Sequence, residues 1–101
     1  MNIPRFHLAF PVIDLESTRK FYSEVLGCTL GRESNKWIDF NLFGHQIVAH
    51  FSPDECIGTN LNRVDGDMVP SRHFGVILPW EQWKGLCKKM KKQKTPFMIE
   101  P

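Results

Sequence analysis

Alternating apolar and polar side chains open the chain, and a helical spacing follows them. The alternation in residues 6–12 predicts a β-strand with one apolar face, formed by Phe6, Leu8, Phe10 and Val12. Asp14 then has the chemistry of a helix N-cap, and Gly27 that of a left-handed C-terminal cap. Between these caps the spacing predicts one helix whose buried stripe is Leu15, Thr18, Phe21, Tyr22, Val25 and Leu26.

Two further strands are predicted in "KWIDFNLFGHQIVAHF", where apolar residues again take every second position. The turn between the strands falls at Phe43 and Gly44. The predicted apolar face consists of Ile38, Phe40 and Leu42 in the first strand and Ile47, Ala49 and Phe51 in the second. Together with a short segment at 29–32, these elements predict a βαβββ unit over residues 1–51.

A weaker copy of the opening pattern begins 66 residues later, where His73 matches His7. "RHFGVIL" predicts the equivalent strand, and Pro79 suits the start of a second helix. That helix has an apolar stripe of Trp80, Trp83, Leu86, Cys87 and Met90, and a new strand is predicted at "FMIE". The same offset places the counterparts of the remaining strands past Pro101, so we expect the second unit to be incomplete.

The expected organisation is a single α+β domain over residues 1–101, built from paired βαβββ modules. The first module spans 1–51, and residues 52–71 are predicted to be a connection because they are rich in Pro, Gly, Asn and Asp. A partial second module, 72–101, lacks its last strands. Unpaired strand edges in that module favour pairing with a second chain, and therefore a homodimer.

The composition is that of an ordinary globular protein, with 42% hydrophobic and 24% charged residues among 101. The formal charge of +2 indicates no particular partner. We interpret the lysines of "KGLCKKMKKQK" as a solvated helix face, because they lack interleaved aromatic residues on that face and so do not favour nucleic acid. The sequence also lacks a phosphate-binding glycine loop, GxSxG and HExxH, which leaves nucleotide hydrolysis, serine hydrolysis and zinc proteolysis without support.

Cys28, Cys56 and Cys87 form an odd set without CxxC spacing, so we expect reduced thiols rather than disulfides or a zinc knuckle. No apolar run approaches the roughly 18 residues of a membrane span, and the N-terminus lacks a signal-peptide pattern. The sequence therefore predicts a cytoplasmic protein with no membrane partner.

The strand faces that turn away from the helices carry polar and aromatic side chains. A sheet that is covered by helices on one side aims its other side at a cavity or a partner. Alternation assigns to that second side His7, Trp37, Asp39, Asn41, Gln46, His50 and His73. Neutral imidazoles from separate strands are ready metal ligands, and two histidines with one carboxylate suit Fe(II) or a Lewis-acidic Mn, Ni or Zn ion. This side is the candidate functional face.

The residues resemble a known family at this point. His7, followed by Asp14 and "RKFYSEVLGC", resembles the first module of the vicinal oxygen chelate superfamily, which contains glyoxalases, extradiol dioxygenases, and fosfomycin- and bleomycin-resistance proteins. "WIDFNLFGHQIVAH", "VPSRHFGVILPWEQW" and "FMIEP" are similar to small members named loosely as glyoxalase or dioxygenase. The resemblance implies the glyoxalase/bleomycin resistance/dioxygenase fold of paired βαβββ modules.

The resemblance also implies a mononuclear divalent metal, either Fe, Mn, Ni or Zn. Its ligands would be His7 and His73, with a Glu from the last strand of the second module as the third. That Glu has no matching position before Pro101, and the equivalent position of the first module is Val48. The expected ligand set is therefore incomplete within these residues.

Three hypotheses about function follow. The first is a metal-dependent enzyme, of dioxygenase or lyase/isomerase type, whose small substrate chelates the metal through neighbouring oxygens. Its substrate-binding residues would be Trp37, Asp39, Asn41 and Gln46, and His50 would be the catalytic acid or base. The second is a metal-free, small-molecule-binding dimer of the bleomycin-resistance kind. The third is an inactive, shortened relic.

Overall fold

The computed structural model describes residues 3–56, 61–64, 67–70 and 72–101. The chain divides into two compact units, Met1–Ile57 and Gly58–Pro101. The boundary between the two units lies a few residues beyond the end of the predicted first module. Each unit is described by itself.

The first unit has the predicted βαβββ order. Its elements are β1 (His7–Val12), α1 (Leu15–Lys20), β2 (Thr29–Glu33), β3 (Trp37–Leu42) and β4 (His45–Phe51). The four strands form one sheet in the order β1-β4-β3-β2, in which β1 runs parallel to β4 and the other pairs are antiparallel. The α+β class and the βαβββ module are thereby confirmed.

Both predicted ends of the first helix are confirmed, although its middle differs. Asp14 caps α1 by accepting the Ser17 amide at 2.9 Å, and Gly27 takes a left-handed φ of 75°. After α1 the chain continues directly into one π-helical stretch, Phe21–Val25. Apolar spacing does not distinguish a π turn from an α turn at this length, so the sequence predicted one uninterrupted α-helix.

We expect Asp14→Ala to lower the thermal midpoint of the first unit at neutral pH, because the amides of the first turn lose their acceptor. Hydrogen bonds from Ser17, first through its side chain and then through its backbone, lower the pKa of Asp14 below 3.8. The stabilisation is therefore present above the usual carboxyl range and disappears as the pH falls through the lowered pKa.

Asp14→Asn is the matched control, since asparagine caps equally well without titrating. Thermal melts followed by circular dichroism from neutral to strongly acidic pH should show a loss of stability for the wild type that the asparagine variant lacks at this site. Equal melting temperatures for the alanine variant and the wild type at neutral pH would contradict the capping role.

The core of the first unit lies between the helix and one face of the sheet. Ile38 and Ala49 have no exposed surface, and Phe40 is 1% exposed. The predicted apolar face is confirmed in its centre, where the buried set is Cys28, Ile38, Phe40, Leu42, Ile47 and Ala49, packed against Leu8, Phe10, Val12, Leu15, Tyr22 and Leu26. Phe6 and Phe51, at the two ends of the predicted face, are exposed.

The second unit contains the predicted helix but not the predicted strands. Helix α2 spans Trp80–Lys92, with Pro79 and Gln93 as its caps and Lys94 in a left-handed conformation. Residues 73–78 and 97–100, which are described, form no strand, so both strand predictions are wrong. In the first unit β1 pairs with β4 and β2 pairs with β3. The 66-residue offset places the equivalent partners past residue 101, so those pairings are not available among these residues.

The predicted connection, 52–71, contains regular structure that the sequence did not indicate. A short 3₁₀ turn, Pro53–Cys56, follows β4, and strands β5 (Leu61–Val64) and β6 (Asp67–Pro70) pair antiparallel. Residues 57–60, 65–66 and 71 of the connection lie outside the described residues. No helix in the described parts of the chain has the length and apolar character that a membrane span requires.

Candidate functional site

The strand register places six predicted site residues of the first unit on one face of the sheet. Gln46 lies between His7 and Asn41, and the next row that faces the same way contains Val48 and Asp39. The third row contains His50 and Trp37. Because directly paired residues share a face, His7, Trp37, Asp39, Asn41, Gln46 and His50 all lie opposite the core. We call this the histidine face.

A chain of polar contacts crosses the histidine face from β1 to β2. His7 Nδ1 lies 2.9 Å from Gln46 Oε1. The Gln46 amide nitrogen donates to Asp39 Oδ2 at 3.5 Å, and Arg32 Nε donates to the same oxygen at 3.4 Å. The Arg32 guanidinium also lies 5.8 Å from the centre of the Trp37 ring. The face is therefore a connected set of side chains.

Asp39 is the buried member of this set, at 7% exposure. A buried carboxylate is costly unless hydrogen bonds and an opposite charge compensate it, and Gln46 and Arg32 supply these. Part of the burial comes from Gly31 on β2, where a Cβ atom would lie 3.1 Å from Asp39 Cβ. A side chain at position 31 would therefore press on Asp39.

Arg32 is the member that sequence reasoning missed. The pairing of β2 with β3 shifts between Leu30 and Glu33, so simple alternation does not assign a face to the residues between them. The signal that could have identified Arg32 is its positive charge, since a carboxylate such as Asp39 requires an opposite charge where it is buried. Its side chain is 82% exposed, so its attraction to Asp39 is screened by solvent.

Asn41 and His45 make contacts within the hairpin. Asn41 Oδ1 accepts the amide of Gly44 at 2.7 Å, which supports the turn where Phe43 and Gly44 have positive φ. His45 Nδ1 accepts the amide of Phe6 at 2.9 Å. Asn41 also lines a cleft of about 260 Å³ formed with Leu26, Gly27, Cys28, Thr29 and Phe43, away from His7.

The remaining predicted residues are spread along the chain. His50 is exposed and lies four residues along β4 from Gln46, about 13 Å at the rise of an extended strand. This separation is too large for His50 and His7 to share one metal ion. His73 is an exposed residue of the second unit, ahead of α2.

In the first unit, His7 has the exposure and orientation that a metal ligand requires. His7 is exposed, and its Nδ1 contacts an amide oxygen, which is how a metal-bound histidine is usually oriented by its outer partner. Groups of three or more His, Cys, Asp or Glu side chains placed to hold a metal do not occur in the part of the chain that the structure describes. A metal site that used His7 would therefore need further ligands from outside the first unit.

Two titratable groups of the core are unsuited to chemistry at neutral pH. Burial raises the pKa of Tyr22 to about 12, with a smaller contribution from Cys28. Burial also raises the pKa of the Cys28 thiol. Both groups therefore remain protonated near pH 7, and Cys28 is a packing residue rather than a nucleophile.

Comparison with known proteins gives one family. The model of the Glyoxalase/Bleomycin resistance protein/Dioxygenase superfamily matches residues 6–101. A glyoxalase/bleomycin resistance protein/dioxygenase from Alicyclobacillus acidocaldarius is 35% identical, with a TM-score of 0.73 over 93% of this chain and 66% of that chain. The chain thus spans slightly less than two thirds of that relative. Comparison with curated proteins gave no significant match.

Two more distant structures share the fold. The genomically encoded fosfomycin resistance protein FosX from Listeria monocytogenes is 15% identical, with a TM-score of 0.66 over 93% of this chain and 69% of that one. An integron cassette protein from V. Cholerae is 20% identical, with a TM-score of 0.58 over 100% of this chain and 76% of that one. At these identities the likeness concerns the fold alone.

Proposed function

Because the chain belongs to the Glyoxalase/Bleomycin resistance protein/Dioxygenase superfamily, we propose that it acts as a metal-dependent enzyme of glyoxalase or dioxygenase type. The substrate class is a small molecule with two neighbouring oxygens. The observation that carries the proposal is His7, an exposed imidazole whose Nδ1 is held by Gln46 at 2.9 Å. Such an imidazole presents its other nitrogen to a ligand in a fixed direction.

In this proposal His7 and His73 hold a divalent Fe, Mn, Ni or Zn ion, together with a carboxylate from outside these 101 residues. The ion would supply Lewis acidity, which stabilises negative charge on a chelated oxygen. Other side chains of the histidine face would act on the substrate. His50 would donate or accept a proton, since an imidazole has both a donor and an acceptor nitrogen in its neutral form.

The contacts of the face divide the predicted substrate-binding residues into two groups. Asp39 and Gln46 are engaged with each other, and Gln46 also contacts His7, so we assign them to orienting the ligand histidine. Trp37 is half-buried and stacks near the Arg32 guanidinium. In the proposal this pair binds a planar or anionic part of the substrate.

A metal-free, small-molecule-binding protein is the second candidate, because the Trp37 and Arg32 pair offers a planar binding surface without any metal.

In either case we include a homodimer in the proposal. Strands β1 and β2 are the outer strands of the sheet, and within the described residues each pairs on one side only. We also propose a reducing, cytoplasmic setting, since the three cysteines carry free thiols.

A bidentate oxygen ligand distinguishes the two candidates. We expect acetohydroxamate to bind the chain loaded with Zn(II) and to lose that binding when the metal is removed by a chelator, because both of its oxygens must reach the ion. Isothermal titration calorimetry measures the affinity, and acetamide, which has one of the two oxygens, is the control.

Equal binding of acetohydroxamate with and without metal would contradict the metal-dependent proposal and support the metal-free binding protein. Equal binding of acetamide and acetohydroxamate to the loaded chain would contradict the requirement for two neighbouring oxygens.

A further inference from the structure

The contact between His7 and Gln46 has a defined direction. An amide oxygen only accepts hydrogen bonds, so His7 Nδ1 must carry the proton when it lies 2.9 Å from Gln46 Oε1. In the neutral ring the other nitrogen, Nε2, is then a lone-pair acceptor. The Nε2–H form is the commoner one for histidine in water, so the Nδ1–H form at His7 requires a local cause.

The cause depends on the orientation of the Gln46 side-chain amide. If that amide were turned over, its nitrogen would face His7 and its oxygen would face Asp39. Asp39 is a carboxylate, which accepts but does not donate, so two oxygens would then face each other at about the 3.5 Å that now separates Nε2 of Gln46 from Oδ2 of Asp39. The carboxylate therefore selects the orientation in which the Gln46 oxygen faces His7.

Asp39 is itself held in place from two sides. Arg32 donates to the oxygen that also accepts from Gln46. The backbone of Gly31 lies against the Asp39 side chain, and Asp39 is 7% exposed. The burial of Asp39 and the nearby backbone of Gly31 leave this side chain few alternative rotamers, so the acceptor for Gln46 stays in one position.

We propose that Gln46, Asp39 and Arg32 form a relay that fixes His7 in its Nδ1–H tautomer and leaves its Nε2 lone pair available on the histidine face. Gln46 is the positioning residue for His7, and Asp39 acts through Gln46. The relay goes beyond the proposed function, because the tautomer is a property of the metal-free chain. It rests on that function only in naming a metal ion as the partner of the lone pair.

His45 provides a contrast within the same sheet. Its Nδ1 accepts the backbone amide of Phe6 at 2.9 Å, so that nitrogen has no proton and Nε2 carries it in the neutral ring. His7 and His45 are neighbours in adjoining strands, yet their surroundings require opposite tautomers. A solution condition that changes histidine tautomers in general would change the tautomers of both residues. Loss of the relay, in contrast, should change the tautomer of His7 and leave that of His45 as it is.

The test is a long-range ¹H–¹⁵N correlation spectrum of the histidine rings in the ¹⁵N-labelled, metal-free chain, at a pH where the rings are neutral. The chemical shift of each ring nitrogen reports whether it carries the proton. We expect His7 to be Nδ1–H and His45 to be Nε2–H. Observation of the Nε2–H form at His7 in the wild type would overturn the proposal.

Variants separate the relay from a general structural role. In Gln46→Leu we expect His7 to change to the Nε2–H form, whereas Gln46→Glu, which keeps an acceptor oxygen, retains Nδ1–H. Asp39→Leu should give a mixture of both tautomers, because the Gln46 amide is then free to turn over. His45 should be unchanged in all three variants, which shows that the sheet is intact.

An unchanged tautomer of His7 in Gln46→Leu would overturn the proposal, and an unchanged tautomer in Asp39→Leu would overturn the part assigned to Asp39. The metal measurement is separate. If the wild type shows Nδ1–H at His7 and binds no metal, the relay stands and the proposed function fails. If metal binds, we expect Gln46→Leu to weaken its affinity by roughly 10- to 100-fold, as loss of an outer hydrogen-bond partner does at metal sites.

Discussion

Phe40→Ala should remove a large share of the stability of the first unit. Phe40 is 1% exposed, and its ring lies 5.1 Å from the ring of Tyr22, which joins β3 to the helical segment. Truncating a buried phenylalanine costs about 3–5 kcal/mol, through lost apolar contact and the cavity left behind. A unit of this size has a free energy of unfolding on the order of 3–9 kcal/mol, so most of its stability would be lost.

Urea denaturation measures this loss when it is followed by tryptophan fluorescence in a Trp80→Phe/Trp83→Phe background, where Trp37 is the remaining tryptophan, and by far-ultraviolet circular dichroism. Phe43→Ala is the matched control, because Phe43 is 45% exposed in the hairpin turn and its truncation removes little buried contact. A loss of less than about 1 kcal/mol for Phe40→Ala would contradict the position of the core between the helix and the sheet.

His7→Ala has the second large expected effect, on metal affinity. If Nε2 of His7 is a ligand, its removal should weaken the binding of Zn(II) by more than about 100-fold, beyond the loss caused by changing an outer partner. The exposed position of His7 means that stability should change little, so the two effects can be separated. Calorimetric titration with Zn(II) measures the affinity, and a thermal melt checks the fold.

His50→Ala is the matched control for metal affinity, since it removes an imidazole from the same face about 13 Å along β4. It should leave the Zn(II) affinity within about twofold, a difference of roughly 0.4 kcal/mol. The assignment of His7 as a ligand would be wrong if both variants bound Zn(II) like the wild type. It would also be wrong if the His50 variant lost affinity and the His7 variant did not.

Much of the first unit could be predicted from local chemistry. The N-cap at Asp14, the left-handed Gly27 and the turn at Phe43 and Gly44 each depend on a few adjacent residues, and all three are confirmed. The alternation of β3 and β4 likewise assigned the core face and the histidine face, because side chains of a strand alternate with a period of two. These features require no knowledge of distant contacts.

The features that the sequence did not predict depend on partners elsewhere in the chain. The shift in the pairing of β2 placed Arg32 beside Asp39, and alternation within β2 does not reveal such a shift. Residues 73–78 have the pattern of a strand, but a strand needs a neighbouring strand to pair with, and the structure has no strand at these described residues. The relay to His7 depends on side-chain contacts between strands, which pattern alone does not specify.

The most direct test of the account is to locate the bound metal by NMR. A substoichiometric amount of Mn(II), which is paramagnetic, broadens the backbone resonances nearest to it in the ¹⁵N-labelled chain. We predict the strongest broadening at His7 and Gln46, and progressively weaker broadening at His50 and Phe51, which lie further along β4. Broadening confined to the acidic residues of the 3₁₀ turn, or uniform broadening without a preferred position, would contradict a metal ligand at His7.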